Sequence, residues 1–140
     1  MTGRCLCGGV TVRLSMPTDE VGVCHCRLCR RWGGGPWMAV QVPGSEITGE
    51  TLVVYRSSSF AERGFCGRCG SHVFHRPRQG PELAISTGLL ENPDFRIARE
   101  IFDDARPPFY RFEADSVKRS GLSMALEWLP KLIGRRLGLR

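Results

Sequence analysis

Seven cysteines, grouped in three clusters, are the residues of this chain best suited to chemistry. Cys5 and Cys7 form a C-x-C pair, and side chains two residues apart on a strand point to the same side, so both sulfurs can reach one ion. Cys66 and Cys69 form a C-x-x-C pair, whose neighbouring glycines permit the tight turn that directs backbone N–H groups at thiolates. Two such pairs predict a closed, tetrahedral Cys₄ zinc site of the structural kind.

The middle cluster, Cys24, Cys26 and Cys29, is a C-x-C-x-x-C motif within six residues. All three thiols can face one ion if the end of a strand turns there into a loop. Three protein ligands leave one tetrahedral position for water or substrate, which distinguishes catalytic from structural zinc. The three cysteines are therefore predicted as metal ligands and as catalytic residues, and the chain is predicted to bind two zinc ions.

Spacing alone does not fix how the clusters combine. Cys5 and Cys7 could instead share an ion with two of Cys24, Cys26 and Cys29, leaving a different open trio. An iron–sulfur cluster is possible in principle, but mixed C-x-C and C-x-x-C spacings are not typical of one. A complete disulfide framework would leave one of the seven thiols over. Zinc, divided four plus three, is the interpretation we favour.

The three histidines stand beside these motifs. His25 lies between two predicted ligands, so on a strand its side chain should point away from the metal. His72 and His75 follow the Cys66–Cys69 pair and could supply a fourth ligand to the open site. We favour the alternative that they are ordinary strand histidines.

Length and composition predict one intracellular domain. The 140 residues begin with no basic-then-apolar leader, and no run of about 18 apolar residues predicts a membrane span. We therefore expect a cytoplasmic protein whose thiols stay reduced or bind metal.

The net charge of +6 is concentrated at the end of the chain. Residues 1–115 hold 14 Arg against 13 Asp and Glu, whereas residues 116–140 hold six basic residues against Glu127. We expect no nucleic-acid binding by the body, because it lacks an excess cationic field. The sequence thus predicts a zinc-binding domain over 1–115 and a basic amphipathic tail over 116–140.

Short apolar runs bounded by turn residues predict a mainly β fold of short antiparallel strands. The predicted strands are Val10–Leu14, Val21–Cys24, Met38–Val42, Leu52–Tyr55, His72–His75 and Leu83–Thr87, with weaker candidates at Ile97–Phe102 and Phe109–Phe112.

The tail has helical periodicity. Its apolar residues recur at spacings of three and four: Leu122, Leu126, Leu129, Ile133 and Leu137. Pro130 should end or kink this helix near Leu129. The helix either docks on the body with its charges in solvent, or contacts an anionic membrane surface or a partner protein.

Three ordered segments resemble the glutathione-dependent formaldehyde-activating enzyme family, whose fold is Mss4-like and whose domain also occurs in centromere protein V-type proteins. The matching segments are GRCLCGGV at 3–10, CHCRLCRR at 24–31 and RGFCGRCGSH at 63–72, with a looser match at GLLE, 88–91. The resemblance covers about residues 3–112 and excludes the tail.

This resemblance implies a β-rich fold with two zincs, a structural one held by Cys5, Cys7, Cys66 and Cys69 and a catalytic one held by the middle cluster. It also implies an activity. Glutathione and formaldehyde join through a new carbon–sulfur bond to give S-hydroxymethylglutathione, and the family is classed with the carbon–sulfur lyases. A small thiol and an aldehyde would then be the partners.

The residues suit that chemistry. Three thiolates leave a bound zinc with a net negative charge, so it exchanges a thiol ligand more readily than it splits water. Arg27, Arg30 and Arg31 flank the open site and are candidates for binding the carboxylates of glutathione. The alternative for these arginines is a solvated helix or loop face. Two competing functions stay open: a non-catalytic zinc scaffold for protein interactions, and a sensor of zinc or thiols.

Overall fold

The computed structural model describes residues 1–91 and 94–138 of the chain. Its elements, in chain order, are β1 (Thr2–Arg4), β2 (Thr11–Arg13), β3 (Glu20–Cys24), α1 (Arg27–Gly33), β4 (Trp37–Gln41), β5 (Glu46–Thr48), β6 (Leu52–Arg56), β7 (Ala61–Cys66), β8 (His72–Pro77), β9 (Ala84–Ser86), β10 (Arg96–Ile101), β11 (Val117–Arg119) and α2 (Gly121–Arg136), with 3₁₀ turns at Thr87–Leu89 and Asp103–Ala105. The predicted mainly β fold with a C-terminal helix is confirmed.

The chain divides into two compact units. Unit 1 consists of Met1–Asp19 and Ala39–Phe95, and unit 2 of Glu20–Met38 and Arg96–Arg140. Residues 139 and 140, including the Arg140 counted in the basic tail, lie outside the described residues. The predicted domain boundary after residue 115 stays a prediction.

Unit 1 contains antiparallel strands in two groups. The first is ordered β1-β2-β5, and the second β4-β9-β8-β7-β6. Strand β2 alternates as a half-buried strand should, with Val12 buried between exposed Thr11 and Arg13. Strands β8 and β9 contribute Val73 and Ile85 to the core, both fully buried.

Glycine is required at one position of this sheet. Gly64 in β7 pairs with Phe74 in β8, and a Cβ atom at Gly64 would overlap the Phe74 ring. The buried Phe74 ring fills the space in which any other residue at position 64 would place its side chain.

Unit 2 pairs its strands differently from the antiparallel arrangement that we predicted. Strand β10 lies between β3 and β11 and runs parallel to both. A parallel pair needs a long crossover, and 15 residues separate Ile101 from Val117. That crossover contains Phe109–Phe112, which is not a strand, so this weaker prediction is wrong.

Helix α2 begins at an N-cap, Ser120, whose hydroxyl accepts a hydrogen bond from the Ser123 amide at 3.1 Å. It continues for six residues past Pro130, to Arg136, so Pro130 does not end it near Leu129. The alternative prediction, a kink at that point, stays a prediction. Pro130 has no N–H group to donate to the carbonyl of Leu126. Because Leu126 and Pro130 are both exposed, water can donate a hydrogen bond to that carbonyl instead. No helix in the described ranges, 1–91 and 94–138, has the length and apolarity to cross a membrane.

Candidate metal centres

The four outer cysteines meet in unit 1. The sulfurs of Cys5, Cys7, Cys66 and Cys69 all lie within 4.8 Å of one another. Cys7 Sγ is 3.7 Å from both Cys5 Sγ and Cys66 Sγ. Sulfurs placed tetrahedrally about 2.3 Å from one zinc lie about 3.8 Å apart, so these residues fit a closed zinc site.

Tight turns position these four sulfurs. After β1, Gly8 has a φ of 75° and its amide bonds the carbonyl of Cys5 at 2.9 Å. After β7, Gly70 has the same φ and its amide bonds the carbonyl of Cys66 at 2.8 Å. Both turns use the left-handed conformation that glycine adopts without strain.

Hydrogen bonds from hydroxyl groups favour the thiolate form at two of the four sulfurs. Ser71 Oγ lies 3.3 Å from Cys69 Sγ, and this contact is the main cause that lowers the pKa of Cys69 to about 5. Thr51 Oγ1, 3.2 Å from Cys66 Sγ, lowers the pKa of that thiol too. Because metal ligands must be deprotonated, these hydroxyls prepare the cluster for a cation.

The middle cysteines meet in unit 2, with all three sulfurs within 4.8 Å of one another. Cys24 ends β3, Cys26 is the N-cap of α1, and Cys29 lies in the first turn of that helix. The strand is therefore followed by a helix and not by the loop that we predicted. The Cys29 amide donates to Cys26 Sγ at 3.4 Å. Cys24 and Cys29 are buried, whereas Cys26 is half-buried.

The pKa values of thiols in this trio shift because the three sulfurs contact one another. Hydrogen bonds from Cys24 and Cys29 lower the pKa of Cys26 strongly, although burial opposes the shift. The contacts with Cys26 and Cys29, together with burial, raise the pKa of Cys24. The cluster thus concentrates negative charge on Cys26, and a cation is what would let all three thiols ionise together. Three sulfurs suit zinc with one position open.

His25 is fully buried and bonded at every polar atom. Its ring donates from Nε2 to Glu100 Oε2 at 2.9 Å, and its Nδ1 lies 2.9 Å from the hydroxyl of Tyr110. Its amide donates to the carbonyl of Ile101 at 3.0 Å, and its carbonyl accepts from Arg30 Nε at 2.9 Å. The side chain thus points to β10 and the crossover, consistent with the prediction that it turns away from the metal.

Glu100 is the centre of a buried ion-pair network. Its Oε1 accepts from Lys118 Nζ at 2.6 Å and from Ser116 Oγ at 2.5 Å. Burial opposes ionisation of Glu100, but hydrogen bonds from Lys118, Ser116 and His25 outweigh it and lower its pKa to about 2. His25, Glu100 and Asp103 lie close enough to hold a metal, yet their atoms already pair with one another and with Arg106, so we interpret them as structural.

The other predicted candidates are placed as follows. His72 and His75 lie in β8, and neither belongs to a metal-holding group among the residues that the structure describes. Arg27 and Arg31 are exposed on α1, whereas Arg30 uses its Nε to hold the carbonyl of His25. The role of all three arginines in binding a thiol stays a prediction.

Comparison with known proteins identifies the family of this chain. Residues 1–105 match the family described as glutathione-dependent formaldehyde-activating enzyme, in a match that includes all seven cysteines. The chain belongs to this family.

Relatives of this formaldehyde-activating family member come from a fungus and from bacteria. The chain is 39% identical over 117 residues to a Schizosaccharomyces pombe protein named an uncharacterized lyase, covering 79% of this chain and 83% of that one. It is 31% identical over 111 residues to a Halomonas elongata protein provisionally named for glutathione-dependent formaldehyde activation, covering 67% and 71%. A Rhodobacter sphaeroides crystal structure aligns with a TM-score of 0.54 and 29% identity, covering 66% of this chain and 92% of that one.

The contacts of Glu100 and Tyr110 with His25 were not predicted from the sequence. A signal for Glu100 was present, because alternation along Ile97–Phe102 puts Glu100 on the same side as Ala98 and Phe102. A charged residue on an apolar strand face predicts a buried partner. For Tyr110 the local sequence holds no such signal, since a chain distance of 85 residues separates it from His25.

Proposed function

We propose that this chain is a zinc-dependent carbon–sulfur lyase that joins a small thiol to an aldehyde, with glutathione and formaldehyde as the substrate pair. The observation on which this depends is the three-sulfur cluster of Cys24, Cys26 and Cys29, which leaves one tetrahedral position open, in a chain of this family. The names of the relatives in Schizosaccharomyces and Halomonas support the reaction class.

Two zinc ions per chain follow from this proposal. The closed group of Cys5, Cys7, Cys66 and Cys69 would hold a structural ion, and the open trio a catalytic one. Zinc in the trio would supply a cationic position at which a bound thiol loses its proton near neutral pH.

The reaction forms one carbon–sulfur bond and one O–H bond, and it breaks the S–H bond and the carbonyl π bond. The sulfur of the substrate attacks the aldehyde carbon, the carbonyl π pair moves to oxygen, and that oxygen takes the proton that the thiol gave up. Cys24, Cys26 and Cys29 would bring three negative charges to a divalent ion, and this excess would favour exchange of a thiol over ionisation of water. Their fixed spacing would keep the substrate thiol at one position, which would reduce the entropic cost of addition.

The exposed cations of α1 would bind the rest of the substrate. Arg27 and Arg31 extend from the helix that also holds Cys29, and guanidinium groups bind carboxylates in a bidentate manner. Arg30, bonded to the carbonyl of His25, would instead stiffen the cysteine motif. A cytoplasmic location would supply reduced thiols and keep the cysteines reduced.

The test is a rate measurement. Exchange spectroscopy of ¹³C-formaldehyde with glutathione measures the rate of adduct formation as zinc-loaded protein is added. We expect the wild-type chain to raise that rate in proportion to its concentration, and Cys26→Ser to lower the added rate about a hundredfold or more.

Leu28→Gln is the matched control, because Leu28 is 50% exposed within the same motif and is not a predicted ligand. It should retain the wild-type rate. If the wild-type chain binds two zinc ions but adds no more to the rate than Cys26→Ser does, the chain is a zinc scaffold or sensor and not an enzyme.

A further inference from the structure

The apolar residues of α2 lie on two opposite faces of the helix. Met124 is 3% exposed and its sulfur accepts a hydrogen bond from Arg99 of β10 at 3.4 Å, and Glu127 pairs with the same arginine at 3.6 Å. The helix start is held by the Gly121 amide, which donates to Asp104 at 2.7 Å. These contacts define the face by which α2 packs within unit 2.

The second face is an apolar stripe in solvent. The sequence predicted that these leucines and Ile133 could dock on the body, but each is 50–71% exposed: Leu122, Leu126, Leu129, Ile133 and Leu137. Because side chains two positions apart lie about 200° apart around a helix, Leu122 and Leu126 point away from Met124. Five large apolar side chains aligned in solvent are typical of a contact surface.

Positive charge borders the stripe. Arg119 lines one surface with Leu122 and Leu126, and Arg136 stands one position before Leu137. Lys131 and Arg135, seven and eleven positions after Met124, lie on the side of the helix that carries Met124, and Lys118 is bonded to Glu100. The one carboxylate of α2, Glu127, already interacts with Arg99 and with Lys131 at 4.0 Å. The exposed side of α2 therefore combines an apolar stripe with two arginines at its border, Arg119 and Arg136.

We propose that α2 docks the chain on an anionic phospholipid membrane, with the apolar stripe inserted among the lipids and with Arg119 and Arg136 at the headgroups. Two copies of this chain would bring like charges together, which opposes pairing through the stripe. An anionic lipid surface matches both properties, and each basic residue near it adds to binding. At 16 residues α2 is about 24 Å long and lies in the plane of the surface.

The test uses co-sedimentation of the full zinc-loaded chain with vesicles of equal parts phosphatidylglycerol and phosphatidylcholine, compared with phosphatidylcholine alone. We expect binding to the anionic vesicles that weakens as salt is raised. Leu126→Gln combined with Ile133→Gln should weaken it about tenfold or more. Arg119→Gln combined with Arg136→Gln should weaken it about fivefold per arginine.

Met16→Gln combined with Val54→Gln is the matched control, since both side chains are exposed and lie outside α2. It should bind as the wild type does, and circular dichroism should show all variants folded. Three results would overturn the proposal: no binding by the wild type, equal binding to neutral vesicles, or equal loss in the control. Sedimentation equilibrium showing a dimer that only the α2 apolar variant dissociates would overturn it too, and would assign the stripe to a second copy.

Discussion

At the scale of single residues, the buried polar network shows how much of unit 2 depends on one carboxylate. Glu100 accepts hydrogen bonds from His25, Lys118 and Ser116, and so links β10 to the cysteine motif and to β11. A buried ion pair adds little when compared with an apolar alternative, but removing one member leaves the others desolvated and unpaired.

We therefore expect Glu100→Ala to lower the free energy of unfolding by about 3 kcal/mol at neutral pH, measured by urea denaturation. Glu113→Ala, at an exposed position, should change it by less than about 0.5 kcal/mol. The pKa of Glu100 is lowered from 4.5 to about 2, so its stabilising effect is present above pH 4.5 and is lost as pH falls through 2. The free energies of unfolding of the wild-type chain and of Glu100→Ala should therefore converge over that pH range. A difference that stays constant with pH would contradict this explanation.

At the scale of elements, local sequence determined most strands but not their partners. The runs Leu52–Tyr55 and His72–His75 became β6 and β8, because apolar runs bounded by turn residues favour strands. Strand β8 buries Val73 and Phe74, whereas β6 is exposed from Val53 onward. Strand β7, Ala61–Cys66, was missed because a glutamate, an arginine and a glycine interrupt its apolar pattern. It forms because it pairs with β6 on one side and β8 on the other.

The packing of β7 on β8 yields a prediction for that element. Gly64→Ala should lower the free energy of unfolding by about 1–3 kcal/mol in urea, because the new methyl group would overlap the Phe74 ring. Gly35→Ala is the control, since nothing lies within 4 Å of the position that its new methyl group would take, and it should be nearly neutral. Equal effects of the two substitutions would show that loss of glycine flexibility, and not the ring contact, is responsible.

At the scale of the whole molecule, the two cysteine groups differ in what they connect. The closed group joins residues 5 and 7 to residues 66 and 69, whereas the open trio lies within six consecutive residues. Metal binding by ligands that are far apart in the chain contributes directly to the free energy of folding, because the unfolded chain does not hold such ligands together.

We expect metal removal to proceed in two stages. A chelator should first remove about one zinc per chain, from Cys24, Cys26 and Cys29, with little change in circular dichroism. The second zinc should leave only as the β-sheet signal is lost, because Cys5, Cys7, Cys66 and Cys69 form a closed site. A colorimetric zinc indicator followed together with circular dichroism measures both stages. Release of both ions in one step would contradict the division into an open and a closed site.

The sequence by itself determined the three cysteine clusters, because ligand spacing is a local property of the chain. It determined the mainly β class for the same reason, since apolar alternation is written along each strand. The tertiary structure alone decided the parallel pairing of β10, the burial of Glu100 against His25, and the outward direction of the α2 stripe. These features depend on residues far apart in the chain, whose meeting no local pattern specifies. Helical periodicity locates an apolar face, but only the contacts of Met124 and Arg99 show which face of α2 packs and which is left to solvent.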